Sequence, residues 1–187
     1  LCSIALAQMA SGKADGARST LKKALADLPD DPAYALRRAA CLARSSQFGY
    51  YDFKADPMID AAREALRVLD SSPARSAVER LDARSSLAFG YYLKHDDENA
   101  DRAYAEVMAT LERSGRGSTL AAADTLTNWG LVHLDGDVLR AESLFRRALE
   151  LHRFVDGADE VAPTTLFNEA VVLQELDRYD EAERLLR

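Results

Sequence analysis

Three histidines, two cysteines and a set of clustered arginines are the residues in this sequence with the most chemistry to offer. His95, His133 and His152 belong to no HExxH pair and to no Cys/His zinc spacing. His95 adjoins Asp96, Asp97 and Glu98. That grouping suits a solvated turn with acids at a helix start better than it suits a metal. His133 stands where an equivalent position earlier in the chain has Tyr91, so packing accounts for it. Gly115-Arg116-Gly117-Ser118 is too short for a phosphate loop and follows no strand, and no GxSxG occurs. Trp129 falls at a core position, not on a stacking platform. Paired acids are plentiful, as helix surfaces make them. The expectation is no catalysis, no cofactor and no metal. Arg37, Arg38 and Arg44, with Arg80 and Arg84, are a different matter. Guanidinium forks take carboxylates through two parallel hydrogen bonds, so an acidic peptide or a free C-terminus could dock there. The competing reading is a solvated face, or internal pairing with acids such as Asp82.

Composition narrows the partner. Residues are 48% apolar and 29% charged, an ordinary globular balance over 187 residues. Net charge is −7, distributed as +2 over residues 1–90 and −9 over 91–187. Phosphate backbones demand concentrated basic charge, so nucleic acid is excluded as the expected partner. The first half is the better face for an acidic one. No apolar run approaches the length of a membrane span, and Leu1 to Ala10 lacks the basic flank of a signal peptide. Cys2 and Cys41 make no framework. A disulfide between them stays open, but buried free thiols in a reducing cytosol are the expectation, and with them a cytoplasmic location.

The elements that position these residues repeat along the chain. An alanine, a large apolar residue four later and an apolar residue three further on recur as Ala17-Leu21-Ala24, Ala62-Leu66-Leu69, Ala100-Tyr104-Val107 and Ala141-Phe145-Ala148, with Ala182-Leu186 beginning a fifth copy. The leading alanines are 45, 38, 41 and 41 residues apart. Offsets of i, i+4 and i+7 share one helical face. About twelve residues before four of these alanines stands another small residue, Ala5, Ala88, Gly130 and Ala170; in the second unit Ala40 takes that place, 22 residues ahead of Ala62. Each unit therefore reads as helix A, a turn and helix B, with small residues where the two helices approach most closely. Ser11-Gly12-Lys13, His95-Asp96-Asp97, Asp135-Gly136-Asp137 and Asp177-Arg178 supply turns. Asp31-Pro32, Asp56-Pro57 and Ser72-Pro73 read as a cap followed by proline at the first helical position. Leu28-Pro29 reads as a helix end. Few segments alternate with period two, so the fold class is all-α.

Asn128-Trp129-Gly130-Leu131-Val132-His133 followed by Ala141 to Leu149 resembles a tetratricopeptide repeat, as does Asn168 to Leu176 followed by Arg178 to Leu186. The 41-residue spacing and the Asn before the small residue resemble the longer repeats of kinesin light chains. Similar repeats occur in bacterial signalling proteins, including Ser/Thr kinases and transcriptional regulators. The resemblance implies a right-handed superhelical α-α solenoid of about five hairpins, in units 1–31, 32–71, 72–115, 116–160 and 161–187 of a single repeat domain. Both ends fall inside a unit, so the expectation is a domain truncated at each end, with end-to-end self-association through apolar end faces. It also implies that helix A lines a concave groove. On that face lie Asn128 and Leu131, Asn168 and Val171, Tyr92, and Arg37, Arg38 and Arg44. In the related families an Asn at this place hydrogen-bonds the backbone of an extended peptide, and an amide both donates and accepts. The competing reading for Asn128 and Asn168 is a bond to a neighbouring helix.

One unit departs from the pattern. Residues 47–55 are inserted between its helices and hold four of the fourteen aromatic residues: Phe48, Tyr50, Tyr51 and Phe53. Aromatic residues anchor interfaces, but packing over the edge of the helix pair is the expectation. The functional expectation is a scaffold that binds a protein or peptide. The alternative is a regulatory module that holds a small ligand for an attached effector.

Overall fold

The computed structural model describes residues 1–29, 31–71, 76–156 and 163–187. Among them the helices are α1 (Cys2–Ala10), α2 (Ala14–Ala26), α3 (Ala35–Ser46), the single turn α4 (Gly49–Asp52), α5 (Ala55–Ser71), α6 (Ala77–Leu93), α7 (Asp97–Arg113), α8 (Leu120–His133), α9 (Val138–Asp156), α10 (Pro163–Glu175) and α11 (Tyr179–Leu186). No strand occurs among the described residues. Contacts group the chain into two compact units, Leu1–Asn99 and Ala100–Arg187.

In the first unit α1 packs on α2, α3 on α5 and α5 on α6, while α3 also touches α1 and α6. In the second, α8 packs on α9, α9 on α10 and α10 on α11. The recurring triads form the seams. Ala17, Leu21 and Ala24 are buried, as are Ala100, Tyr104 and Val107, and Ala141, Phe145 and Ala148. Leu66 is half-buried and Leu186 exposed, the two departures from the pattern. The need for a small residue is clearest at Gly130. A β-carbon there would lie 2.6 Å from the Phe145 ring, which is itself fully buried and cannot yield.

Helix α3 is turned relative to expectation. Ala40 is only half-buried. The face turned inward is Ala39, packed on Val68 and Leu69, and Ala43, packed on Ala65 and Ala83. A shift of one residue rotates a helical face by about 100°, and an alanine-rich run offers several registers of similar quality. Cys41 moves inward with it and forms a disulfide with Cys2, joining α1 to α3 with their Cα atoms 5.2 Å apart. The free-thiol expectation is therefore corrected. Sequence separation hides such a pair, because only the packing of α3 on α1 brings the two cysteines together.

Asp31 caps as expected, its carboxylate accepting from the Ala33 N–H at 2.7 Å ahead of a 3-10 turn at Pro32–Tyr34. Asp56-Pro57 lies inside α5, which starts at Ala55. Ser72-Pro73 lies outside the described residues. The inserted aromatic segment divides in two. Phe48 is buried, and Tyr50 stacks on Phe89 with ring centroids 4.6 Å apart. Tyr51 and Phe53 face solvent.

Candidate functional site

The arginines expected to take carboxylates all sit in the first unit, Arg37, Arg38 and Arg44 on α3 and Arg80 and Arg84 on α6, where Arg80 is already paired with Asp70 at 2.5 Å and donates to the Leu69 carbonyl at 2.8 Å. Arg38 donates to the Leu28 carbonyl at 3.1 Å, tying down the chain beyond α2. Arg44 donates to the Ala40 carbonyl one turn back at 3.1 Å. Arg37 is exposed and lies over the Tyr34 ring, 5.7 Å from its centroid. Each retains N–H groups beyond those contacts. Tyr92, on α6, is half-buried and tilted against Phe89 at 5.6 Å.

The asparagines sit in the second unit. Helices α8 and α10 meet through a buried hydrogen bond between Thr127 Oγ1 and Thr165 Oγ1 at 3.0 Å. Asn128 follows Thr127 and is half-buried; Leu131, one turn on, packs on the seam of Ala141, Phe145 and Val172. On α10, Val171 is half-buried and Asn168 is 9% exposed. Asn168 Nδ2 has no hydrogen-bond partner among the described residues. A buried donor without an acceptor costs about 1–3 kcal/mol, so this amide gains from any acceptor that reaches it.

A second series of contacts follows the repeat and was not anticipated. It involves the residue just after each leading alanine and the face of the next helix A. In the first unit that residue is Arg63, whose guanidinium donates to the Tyr91 hydroxyl at 3.3 Å and lies over the ring. In the second unit it is Asp101. One carboxylate oxygen accepts from Trp129 Nε1 at 2.8 Å, meets His133 Nε2 at 2.8 Å and pairs with Arg140 at 2.8 Å. Arg140 also covers the Trp129 ring, 5.4 Å from its centroid. One repeat later the residue is Glu142. It takes Arg178 at 2.6 Å and Arg146 at 3.5 Å. Opposite it, where α8 has Trp129 and His133, α10 has Glu169 and Leu173. No indole fills the space. A cleft of about 470 Å³ opens over α10 between α9 and α11, with Glu142, Glu169, Leu149, Leu173 and Leu185 in its wall.

Glu169 is only 5% exposed and its Oε2 has no partner among the described residues. Burial raises its carboxyl to about 7, and the charge of Glu142 adds to the rise. Arg146 and Arg178 pull the other way without cancelling it. The sequence does carry a signal for this site. An acid at 169 occupies the register of a tryptophan at 129, a substitution visible once the two repeats are aligned. Among the described residues no cluster of three or more His, Cys, Asp and Glu could hold a metal ion.

Residues 121–187 match the model of the tetratricopeptide repeat family. Solved structures extend the likeness over nearly the whole chain. The fold is that of tetratricopeptide repeats. BtubC (BKLC) from P. vanneervenii superposes with a TM-score of 0.75 at 17% identity, covering 96% of this chain and 72% of that one. Aspartyl phosphate phosphatase F from Bacillus subtilis gives 0.78 at 19% identity over 97% of this chain and 46% of its own. A Podospora anserina structure, described by the nearly identical TPR-like repeats of a kinesin light chain, gives 0.72 at 15% identity, with coverage of 99% and 89%. This chain thus spans less than half of the Bacillus phosphatase to which its repeats are similar. No curated protein matches by sequence. Tetratricopeptide hairpins in the second unit carry both the Asn pair and the Glu169 cleft. No described helix is long and apolar enough to cross a membrane.

Proposed function

We propose that this chain is an interaction module that binds an extended peptide of a partner protein along its helix A faces. Asn128 and Asn168 hold the peptide backbone, and Leu131 and Val171 line the contact between them. The observation that carries this reading is the Asn168 amide, nine-tenths buried with an Nδ2 that nothing in the described chain accepts. A peptide carbonyl is the acceptor it lacks. In the first unit Arg37, Arg38 and Arg44, with Tyr92, are proposed to take a carboxylate from the same class of partner. Their guanidinium groups keep donors to spare after bonding the Leu28 and Ala40 carbonyls.

A peptide-display selection tests the proposal. Recovered peptides should bind the chain and lose at least about tenfold in affinity to the Asn128→Ala, Asn168→Ala double variant. Peptides that bind both proteins equally would remove the amide reading. A preference for acidic peptides should vanish when Arg37, Arg38 and Arg44 are changed to Glu; a preference that survives assigns it to other residues. A second reading, a sensor module that holds a small ligand for an attached effector, is favoured by the 470 Å³ cleft. Joining Cys2 to Cys41 suits oxidising surroundings, so the free-thiol argument no longer supports a cytoplasmic location.

A further inference from the structure

We propose that the cleft over α10 is a binding site for a free α-amino acid, with its ammonium group on Glu169 and its carboxylate on the rim arginines Arg153 and Arg184. The site stands apart from the peptide reading and does not depend on it. Three observations carry it.

The first is the unanswered acceptor. In the preceding repeat Asp101 faces three donors from its own chain, Trp129, His133 and Arg140. At the equivalent place in α10 an acceptor replaces the donor, and Glu169 Oε2 is left buried and unbonded. A cationic N–H group is the missing partner, and a charge-assisted bond in a buried place is the strong kind.

The second is the arrangement of the arginines. Arg178 is spent, since its guanidinium binds Glu142 at 2.6 Å and Glu181 at 2.7 Å. Arg146 lies 3.5 Å from Glu142. Arg153 on α9 and Arg184 on α11 line the same cleft and make no hydrogen bond or salt bridge among the described residues. Arg184 acts on Glu181 only at longer range. Glu150 on α9 is the remaining charged wall residue, and it is exposed. An occupant that were only a cation would meet two guanidinium groups that form no hydrogen bond or salt bridge with the described residues. One that carries both charges satisfies each end.

The third is size and lining. About 470 Å³ lies in the range of small-molecule sites, and Leu149, Leu173 and Leu185 offer apolar surface to a side chain. An α-amino acid has the two charges, the short separation and the side chain that this wall calls for.

Protonation couples to occupancy. An ammonium ion favours the ionised Glu169, whose carboxyl titrates near 7 when the cleft is empty. Binding should therefore weaken about tenfold between pH 8 and pH 6, as the carboxyl takes up its proton ahead of the ligand. The groups facing it are Glu142, Arg146, Glu150 and Arg153 from α9, Arg178 from the turn, and Glu181 and Arg184 from α11.

The test is calorimetric titration of the full chain with each standard amino acid at pH 8, to about 10 mM. The tightest binder is then compared with its decarboxylated amine and its deaminated acid, for leucine isoamylamine and 4-methylpentanoate. At least one amino acid should bind, and removing either charged end should cost at least tenfold. Glu169→Gln should cost at least tenfold and flatten the pH dependence. Arg153→Ala with Arg184→Ala should bring the amino acid down to the affinity of its amine. Helical circular dichroism should be unchanged in both variants. Absence of heat from every amino acid would overturn the proposal, as would an amine that binds as well as its parent or a Glu169→Gln chain of undiminished affinity. None of these outcomes touches peptide capture by Asn128 and Asn168, whose readout is separate.

Discussion

Asp101 and Glu142 hold the same place in successive repeats of the second unit, and the helices they face differ by one exchange of character. Around Asp101, α8 supplies an indole N–H, an imidazole and a glycine that lets Phe145 close the seam. The acid is answered, and a half-buried indole stands beside it. Around Glu142, α10 supplies a second acid and a leucine, and a cleft remains. A repeat protein keeps its seam residues because every hairpin must bury the same stripe. Positions beside the seam are freer, and there one hairpin can be spent on stability and its neighbour on binding.

The comparison can be broken beside Asp101 first. Trp129→Ala should cost about 3 kcal/mol, because it removes a half-buried indole and leaves Asp101 with fewer donors. Guanidinium unfolding followed by circular dichroism measures it, and a cost below 1 kcal/mol would show that the indole is ornament to the seam. Next comes the backbone that permits the packing. Gly130→Ala should cost about 2 kcal/mol through collision with the Phe145 ring, although alanine is the better helix former. Ala170 already carries a β-carbon at the equivalent place of α10 and is buried without conflict, so the penalty belongs to one repeat only.

Glu169→Gln should act in the opposite direction. The folded chain holds this proton up to about pH 7, against about 4.5 for an unperturbed carboxyl. Below 4.5 both states are protonated and the group is neutral to folding. As pH rises from 4.5 to 7 the unfolded chain ionises and the folded chain does not, so stability falls, and the full cost applies above 7. The amide should therefore stabilise by on the order of 2 kcal/mol at pH 8 and by little at pH 4.5. Denaturant midpoints at the two pH values give the difference, and an equal gain at both would place the effect in packing. The smallest effect is expected from Asn168→Ala, within about 1 kcal/mol of the parent, because the amide it deletes has an unbonded Nδ2. A larger loss would give Asn168 a structural role in place of a binding one.

Much of this could be read from the chain and some could not, for physical reasons. The triad Ala141-Phe145-Ala148 and the glycine at 130 define their hairpin because a large residue and a small one must meet. In α3 the alanines at 39, 40 and 43 are nearly interchangeable by type. The choice among them was made by Val68, Leu69 and Ala65 across the contact, and the sequence of α3 alone does not hold that information. The Cys2–Cys41 pair depends on the same docking. Asn128 and Asn168 stood out through their place beside the small residue. Glu169 did not, since a glutamate on a helix reads as a solvated face until its burial is known. Its tryptophan counterpart at 129 was the available clue.

The most direct measurement is the titration of the Glu169 side chain itself, followed through its carboxyl carbon by NMR in the ligand-free chain. A midpoint near 7, falling when an amino acid is bound, is the outcome expected of a buried carboxylate waiting for a cation. A midpoint near 4.5 would mean that water or the chain already answers Glu169, and the distinction between the two repeats would be lost.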